Sequence, residues 1–383
     1  MNRIGLVTIY SKNYGSVLQC YATKKFLSNV GIECDVLFHK LDRKERLLYW
    51  ARKAAIVCYN SMKYKGFFRY FVEDTKAQHK SINSLSKKSE IFLDKFTRDV
   101  LQPKGYTVSQ LKRLSLRGEY SYFLAGADQV WNGARIIDPF MFLCFSENNK
   151  KISLAPSFGV DKIARFNEKE FKKRIETFYR LSARELSGQT MIVKLTNKSC
   201  ERVADPVLLL SQADWKAFGN LSRLNTERGY IFVHFLDKPS DFSLSVINWI
   251  SQKNSLKIIC FAYPHEEYHI FTSFQFVDGS PYDYIRLIEN ASFVCTDSFH
   301  TTQFSIIFDR KFYVFERNYT HRNSQQSRLE NLINLYSCED RYINSECNNI
   351  ERLDFGLNSS YRAKLCEEHD RVVLYLKSAL GMN

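Results

Sequence analysis

Several short stretches of this chain crowd together side chains that could move a proton or hold an anion. The richest runs from Phe293 to Phe308. A short apolar run (Phe293, Val294, Cys295) is followed by Thr296, Asp297, Ser298 and His300, and then by a second apolar stretch with helical spacing. Polar groups at the carboxyl end of a buried strand are what an open α/β sheet presents to its ligand crevice. A helix starting at the same point turns free N–H groups towards an anion. His300 is the titratable group here, and imidazoles ordinarily titrate near ~6.5, which suits proton transfer near neutrality. A satisfied core histidine is the bland alternative, and the bracketing hydroxyls argue against it.

Three further stretches carry comparable chemistry. In Gly126-Ala127-Asp128-Gln129-Val130-Trp131-Asn132, Asp128 and Gln129 follow a predicted strand, where they could hold sugar hydroxyls or, for Asp128, take a proton from one. The alternative is that Asp128 caps a following helix. In Ser182-Ala183-Arg184-Glu185, the Arg184 guanidinium could grip a carboxylate or phosphate in bidentate fashion, or pair with Glu185 at the surface. In Asn13-Tyr14-Gly15-Ser16, Gly15 lets the backbone approach a ligand closely, although alone it reads as an ordinary βα turn. Downstream, Arg317, His321, Arg322, Asn323 and Arg328 form a basic loop that could close over an anionic donor or stay a solvated surface loop.

His265-Glu266-Glu267-Tyr268-His269 matches the zinc-binding pattern His-Glu-x-x-His, with Glu289 twenty residues beyond His269. Such a site needs both histidines on one helical face. Pro264 directly precedes the motif and leaves room for one helical turn, and Glu289 lies on a helix that packs Ile285 and Ile288. No metal is expected.

The elements that must position these residues alternate strand and helix. Strands are expected at 3–10, 34–38, 122–124 and 151–154, with a helix at 17–30 closed by Gly31 and another around 168–181. Val203–Leu210 reads as a strand with Asp205-Pro206 at its mouth. The polar stretch 211–229 reads as an interdomain connection. A second series follows: strands 230–235, 257–261, 293–295 and 312–315, and helices 243–252, 282–290, 328–335 and 361–376. The expected fold class is therefore α/β, two doubly wound Rossmann-like domains facing across a cleft. The N-terminal domain spans 1–210 as the acceptor side, the C-terminal domain 225–345 as the donor side, and a C-terminal helix lies in 355–383. Its 383 residues exceed one comfortable core, which fits two domains.

The net charge of +14 is concentrated. Between Lys40 and Arg117 there are 19 Lys and Arg against 7 Asp and Glu, a local net of +12, interleaved with Leu47, Trp50, Phe67 and Phe71. This insertion reads either as amphipathic helices lying on an anionic lipid surface or as helices packed on their own domain with solvated lysines. No nucleic-acid module accompanies the charge, so nucleic acid is not an expected partner. The ten cysteines sit mostly inside apolar runs with no Cys-x-x-Cys pair, as in a reducing compartment. No apolar run approaches the ~18 residues of a membrane span. A cytoplasmic protein is expected, or one peripheral on the inner face of the membrane.

Taken in order, these stretches resemble the polysaccharide pyruvyl transferases. The likeness is carried by Asn13-Tyr14-Gly15 with Leu18-Gln19-x-Tyr21-Ala22, Gly126 to Asn132, Ser157-Phe158-Gly159, Ser182-Ala183-Arg184-Glu185, Asp205-Pro206-Val207-Leu208-Leu209, Thr296-Asp297-Ser298-Phe299-His300 and Asn323 to Arg328. The resemblance implies a fold like the two-domain GT-B glycosyltransferases. It also implies transfer of pyruvate from phosphoenolpyruvate onto two hydroxyls of one sugar, giving a cyclic ketal. Family donor contacts match Arg184 and His300. Where some members read Arg-Leu-His, this chain has Ser298-Phe299-His300, so Arg317, Arg322 or Arg328 is expected to supply the missing cation. The expected assignment is His300 and Asp128 as catalytic acid and base. Arg184, Ser298, His300 and Arg328 would bind the donor; Asn13, Tyr14, Gly15, Asp128, Gln129 and Ser157 would bind the acceptor. No cofactor is implied beyond phosphoenolpyruvate as donor substrate. The acceptor glycan would be a surface polysaccharide or its lipid-linked precursor. A glycosyltransferase of the same architecture using a nucleotide-sugar donor is the alternative, and a non-catalytic membrane- or nucleic-acid-associated module resting on the basic insertion is the second.

Overall fold

The computed structural model describes residues 3–10, 12–82, 84–225, 228–317, 325–344 and 361–382. Short, nearly continuous apolar runs form strands buried on both faces, which is how parallel sheets read in sequence. In the N-terminal half these are β1 (Arg3–Val7), β2 (Glu33–His39), β3 (Lys104–Tyr106), β4 (Tyr122–Ala125) and β5 (Lys151–Ser153). They pair all-parallel in the order β3-β2-β1-β4-β5, with Ile4 opposite both Cys34 and Tyr122. A small two-stranded pair, β6 (Ser182–Ala183) and β7 (Glu201–Arg202), lies beyond β5 in the chain. The C-terminal half holds β8 (Tyr230–His234), β9 (Lys257–Phe261), β10 (Gln275–Val277), β11 (Phe293–Thr296), β12 (Lys311–Phe315) and β13 (Tyr342–Ile343). Their order is β10-β9-β8-β11-β12-β13, again all-parallel.

Both sheets reverse their strand order at one place, between β1 and β4 and between β8 and β11. A ligand crevice opens at such a switch point, outside the carboxyl ends of the strands. The first helix of the N-terminal half, Tyr14–Asn29, starts at the first switch point, where the Asn13 side chain caps it by accepting from Ser16 N at 3.2 Å. Helix Phe299–Ile307 starts at the second, capped by Ser298.

One apolar core joins the halves. It runs from Ile4 and Leu6 through Tyr14 and Trp215 to Phe232, Phe304 and Leu376. Tyr14 is fully buried, stacks on Tyr284 with ring centroids 5.1 Å apart, and donates to Gly279 O at 2.5 Å. Helix Tyr361–Leu380 returns from the C-terminal half to the N-terminal one. There Tyr375 donates to Ser153 O at 2.6 Å, and the buried Glu368 pairs with Arg202.

The basic insertion divides into parts with different fates. Helices Arg43–Lys63 and Phe67–Ile82 form a hairpin that docks through Tyr64 and Phe67 on Phe166, while Leu47, Trp50 and Met62 are 73%, 58% and 83% exposed. Helix Lys87–Phe96 instead packs on the C-terminal half. Ser86 and Ser89 both donate to Asp278, and the Phe96 ring meets Phe218 and Tyr282. The insertion then supplies β3 to the sheet edge and helix Val108–Leu116. No described helix is long and apolar enough to cross a membrane.

Several sequence expectations need correction. Val203–Leu210 is not a strand: Asp205 caps a 3-10 turn, Pro206–Leu209, by accepting from Val207 N, and Pro206 has no N–H for a ladder. The stretch 211–229 is no mere connection, since a capping box at Ser211 and Asp214 starts helix Gln212–Gly219. The helix placed at 168–181 is Arg165–Ile175, and the first strand ends at Val7 rather than residue 10. The histidine motif forms a 3-10 turn, Glu266–Ile270. His265 Nε2 there meets Phe235 O at 2.9 Å and His269 Nδ1 meets Glu266 O.

Candidate active site

The two switch points meet, and most of the predicted site residues meet with them. Gly15 opens the first helix directly against the His300 ring. A Cβ at position 15 would lie 2.1 Å from His300 Nδ1 and 2.6 Å from its Cβ, so only glycine permits this approach. One residue on, Ser16 Oγ donates to Asp128 Oδ2 at 2.5 Å. Asp128 does not cap a helix. It sits in a turn after β4 with φ +53°, a left-handed conformation that turns its carboxylate back towards the first helix. Gln19 fixes the same corner, donating to Thr8 and Ile9 O while accepting from Ala127 N.

Arg184 follows β6 and is buried. Its Nε donates to Glu185 and its Nη1 to Asp205, both at 2.9 Å, and the guanidinium lies 4.2 Å from the Phe299 ring centroid. Neither partner is at the surface, so the alternative of a surface pair takes the form of an internal one. The Nη2 group is buried and has no hydrogen-bond partner among the described residues. Asp205 Oδ2 also lies 3.4 Å from His300 Nε2, so one carboxylate serves both side chains. Burial alone would raise the Asp205 carboxyl, but His300 and Arg184 outweigh it and hold it at about 2. Arg184 in turn is raised by Glu185 and Asp205 against the effect of burial.

Arg328, near the start of helix Gln325–Leu335, completes the cluster from the C-terminal half. The Gln129 amide, with its oxygen towards Arg328, accepts from both terminal nitrogens at 2.7 and 2.9 Å. Burial and the neighbouring Arg184 push Arg328 down to about 10. Like-charge guanidiniums held this close in a dry place favour an anion between them.

Other expected residues serve the frame. Tyr14 belongs to the interdomain core through its stack on Tyr284. Ser157 is fully buried; its N donates to Asp128 O at 2.7 Å and its hydroxyl accepts from Gly159 N, which shapes the turn behind Asp128. Asn13 and Ser298 are helix caps. Asp297 accepts from Leu236 N and Asp237 N, and burial raises its carboxyl despite Arg317, whose Nε is 3.2 Å away. Arg317 is thus engaged with Asp297, to whose backbone O its Nε also donates at 2.9 Å. His321, Arg322 and Asn323 lie outside the described residues.

Sequence reasoning missed Asp205 as a site residue. Its signal was present as an Asp-Pro pair, but the strand reading sent it to a strand mouth. Ser16, the partner of Asp128, was also missed.

A comparison with curated protein sequences gives no match. Among solved structures, the chain is similar to a UDP-GlcNAc 2-epimerase from Methanocaldococcus jannaschii at 11% identity and a TM-score of 0.51, covering 97% of this chain and 99% of that one. A Neisseria meningitidis UDP-GlcNAc 2-epimerase bound to UDP-GlcNAc gives 8%, 0.49, 99% and 100%, and Acinetobacter baumannii MurG gives 8%, 0.46, 98% and 99%. At such identities only the fold, two facing Rossmann-like halves as in GT-B proteins, is shared. The family model described as Polysaccharide pyruvyl transferase matches residues 13–319.

Proposed function

Since the chain belongs to the polysaccharide pyruvyl transferase family, we propose that it moves pyruvate from phosphoenolpyruvate onto two hydroxyls of one sugar. The acceptor would be a surface polysaccharide or its lipid-linked precursor, met in the cytoplasm or at the inner face of the membrane. The reading is supported above all by the convergence of Arg184 and Arg328 beside His300 and Asp128 where the two switch points meet. Phosphoenolpyruvate carries a carboxylate and a phosphate, and two guanidiniums in a water-poor cleft are complementary to both.

The chemistry assigns each residue a task. His300 gives a proton to the donor's methylene carbon, which becomes a methyl group and leaves the adjacent carbon electrophilic. A sugar hydroxyl attacks that carbon and loses its proton to Asp128, whose other neighbour is Ser16. The bond from the tetrahedral carbon to phosphate oxygen then breaks. The second hydroxyl closes the ketal and inorganic phosphate leaves, so of the two hydroxyl protons released the balance puts one on carbon and one on the departing phosphate. Asp205 is a positioning residue that holds the imidazole ring and one Arg184 nitrogen in register.

Calorimetric titration with phosphoenolpyruvate tests the donor, run beside UDP-, GDP- and CMP-sugars at fixed ionic strength. Saturable binding of phosphoenolpyruvate, weakened in Arg184→Ala, is expected. Tight binding of a nucleotide-sugar with none of phosphoenolpyruvate would replace this reading by a glycosyltransferase. In His300→Ala, turnover should fall about 10²- to 10⁴-fold with donor binding retained, and full activity there would remove His300 from the chemistry.

A further inference from the structure

A cavity of about 740 Å³ lies between the exposed helical hairpin and the N-terminal sheet, well within the size of ligand sites. Its apolar lining comes from Ile56, Phe67 and Phe71 of the hairpin and from Phe140, Phe145 and Phe166. The acidic groups in its wall are already engaged. Glu45 pairs with His39 and accepts from Val108 N, Asp138 accepts from Phe140 N, and Asp74 lies 3.9 Å from Arg135. Arg52, exposed on the same wall, makes no ion pair among the described residues, and Leu48 beside it is 67% exposed. The cavity therefore joins an apolar lining to an exposed cation, Arg52.

A second, smaller cavity continues it inward. This one is lined by Gln129, Trp131 and Asn132 and shares Arg135, Ile136, Ile137 and Asp138 with the first. Gln129 is the residue that meets Arg328 in the cleft. Residues 135–138 thus wall both cavities, and Gln129 walls the second while meeting Arg328.

We propose that the hairpin cavity is a second binding site, which takes the aliphatic chain of a phosphate-bearing lipid carrier while the attached glycan reaches the cleft. Arg52 meets the phosphate and Ile56 meets the chain. Burying such a chain removes apolar surface from water, so each methylene taken inside adds to affinity. The proposal rests on reading the cleft as a glycan-acceptor site, but its test uses neither glycan nor phosphoenolpyruvate. A chain that transfers pyruvate yet ignores the lipid loses this site alone, and one that binds the lipid without transfer loses only the pyruvyl reading.

The experiment is calorimetric titration of the full chain with farnesyl phosphate below its aggregation threshold, beside farnesol, inorganic phosphate and phosphatidylglycerol vesicles. Saturable binding of one farnesyl phosphate per chain is expected, with farnesol at least fivefold weaker. Ile56→Glu should weaken it at least tenfold, and Arg52→Glu should remove the preference over farnesol. Leu48→Glu, at an exposed position, repeats the test should Ile56→Glu fail to fold, and His300→Ala should bind normally. The proposal falls if farnesyl phosphate does not saturate or if the cavity variants bind it unchanged. It falls equally if only vesicles bind, which would make the hairpin a face for bilayer lipid.

Discussion

Asp205 is buried between Arg184 and His300, and removing its charge should be felt in both stability and rate. Deleting one partner of a buried ion pair leaves the other uncompensated, so Asp205→Asn should cost about 3 kcal/mol in urea unfolding. The carboxyl titrates near ~3.9 in an unfolded chain and at about 2 in the folded one. Its depressed value means that the stabilisation is fully present above pH ~4 and is lost as pH falls through about 2. The stability gap between the native chain and Asp205→Asn should therefore close between pH ~5 and pH ~2, and a gap that persists there would rule out the ion-pair account. Gly15→Ala makes a different test. The added methyl meets the His300 ring and also its Cβ, which is tied to a helix backbone, so turning the ring cannot relieve the clash. A cost of about 1–3 kcal/mol is expected, together with a turnover loss larger than the loss of donor affinity.

Among the elements, those with strong period were legible and those fixed by a few polar contacts were not. The strand-to-helix turns at Gly15 and His300 could be read because apolar runs on both sides bracket polar residues at the switch points. Val203 to Leu210 could not, because an octet that is apolar but for Asp205 looks alike as strand or turn. The choice falls to Asp205 on Val207 N and to Trp215 Nε1, which takes Val207 O at 2.9 Å. β3 and β10 are three residues each and have no period to detect. Asp205 was hidden with its element, since its partners Arg184 and His300 lie 21 and 95 positions away in the chain. The basic insertion shows the limit of charge as a guide. Helix Lys87–Phe96 is as lysine-rich as the hairpin, yet Ser86 and Ser89 tie it to Asp278 in the other half. Asp278→Ala should lower stability by about 1–3 kcal/mol by leaving those hydroxyls without their acceptor, measured by thermal melting.

At the scale of the whole chain, the core is shared rather than divided. Residues of both sheets, the helix Gln212–Gly219 and the C-terminal helix belong to one apolar cluster. Calorimetric melting should accordingly show one transition, and two resolved transitions would contradict a common core. Removing residues 361–383 should destabilise the N-terminal half as well, because Tyr375 and Glu368 are anchored on Ser153 and Arg202. The same continuity bears on recombination between relatives. Each half has the topology of a complete doubly wound unit, which invites exchanging halves to alter donor or acceptor preference. Yet Tyr14 is stacked on Tyr284, and Gly15 is fitted to the ring of His300. A hybrid would inherit mismatched surfaces at the candidate active site. The halves would have to be exchanged together with both partners of each contact and with the returning helix, so the smallest transferable unit is nearly the entire protein.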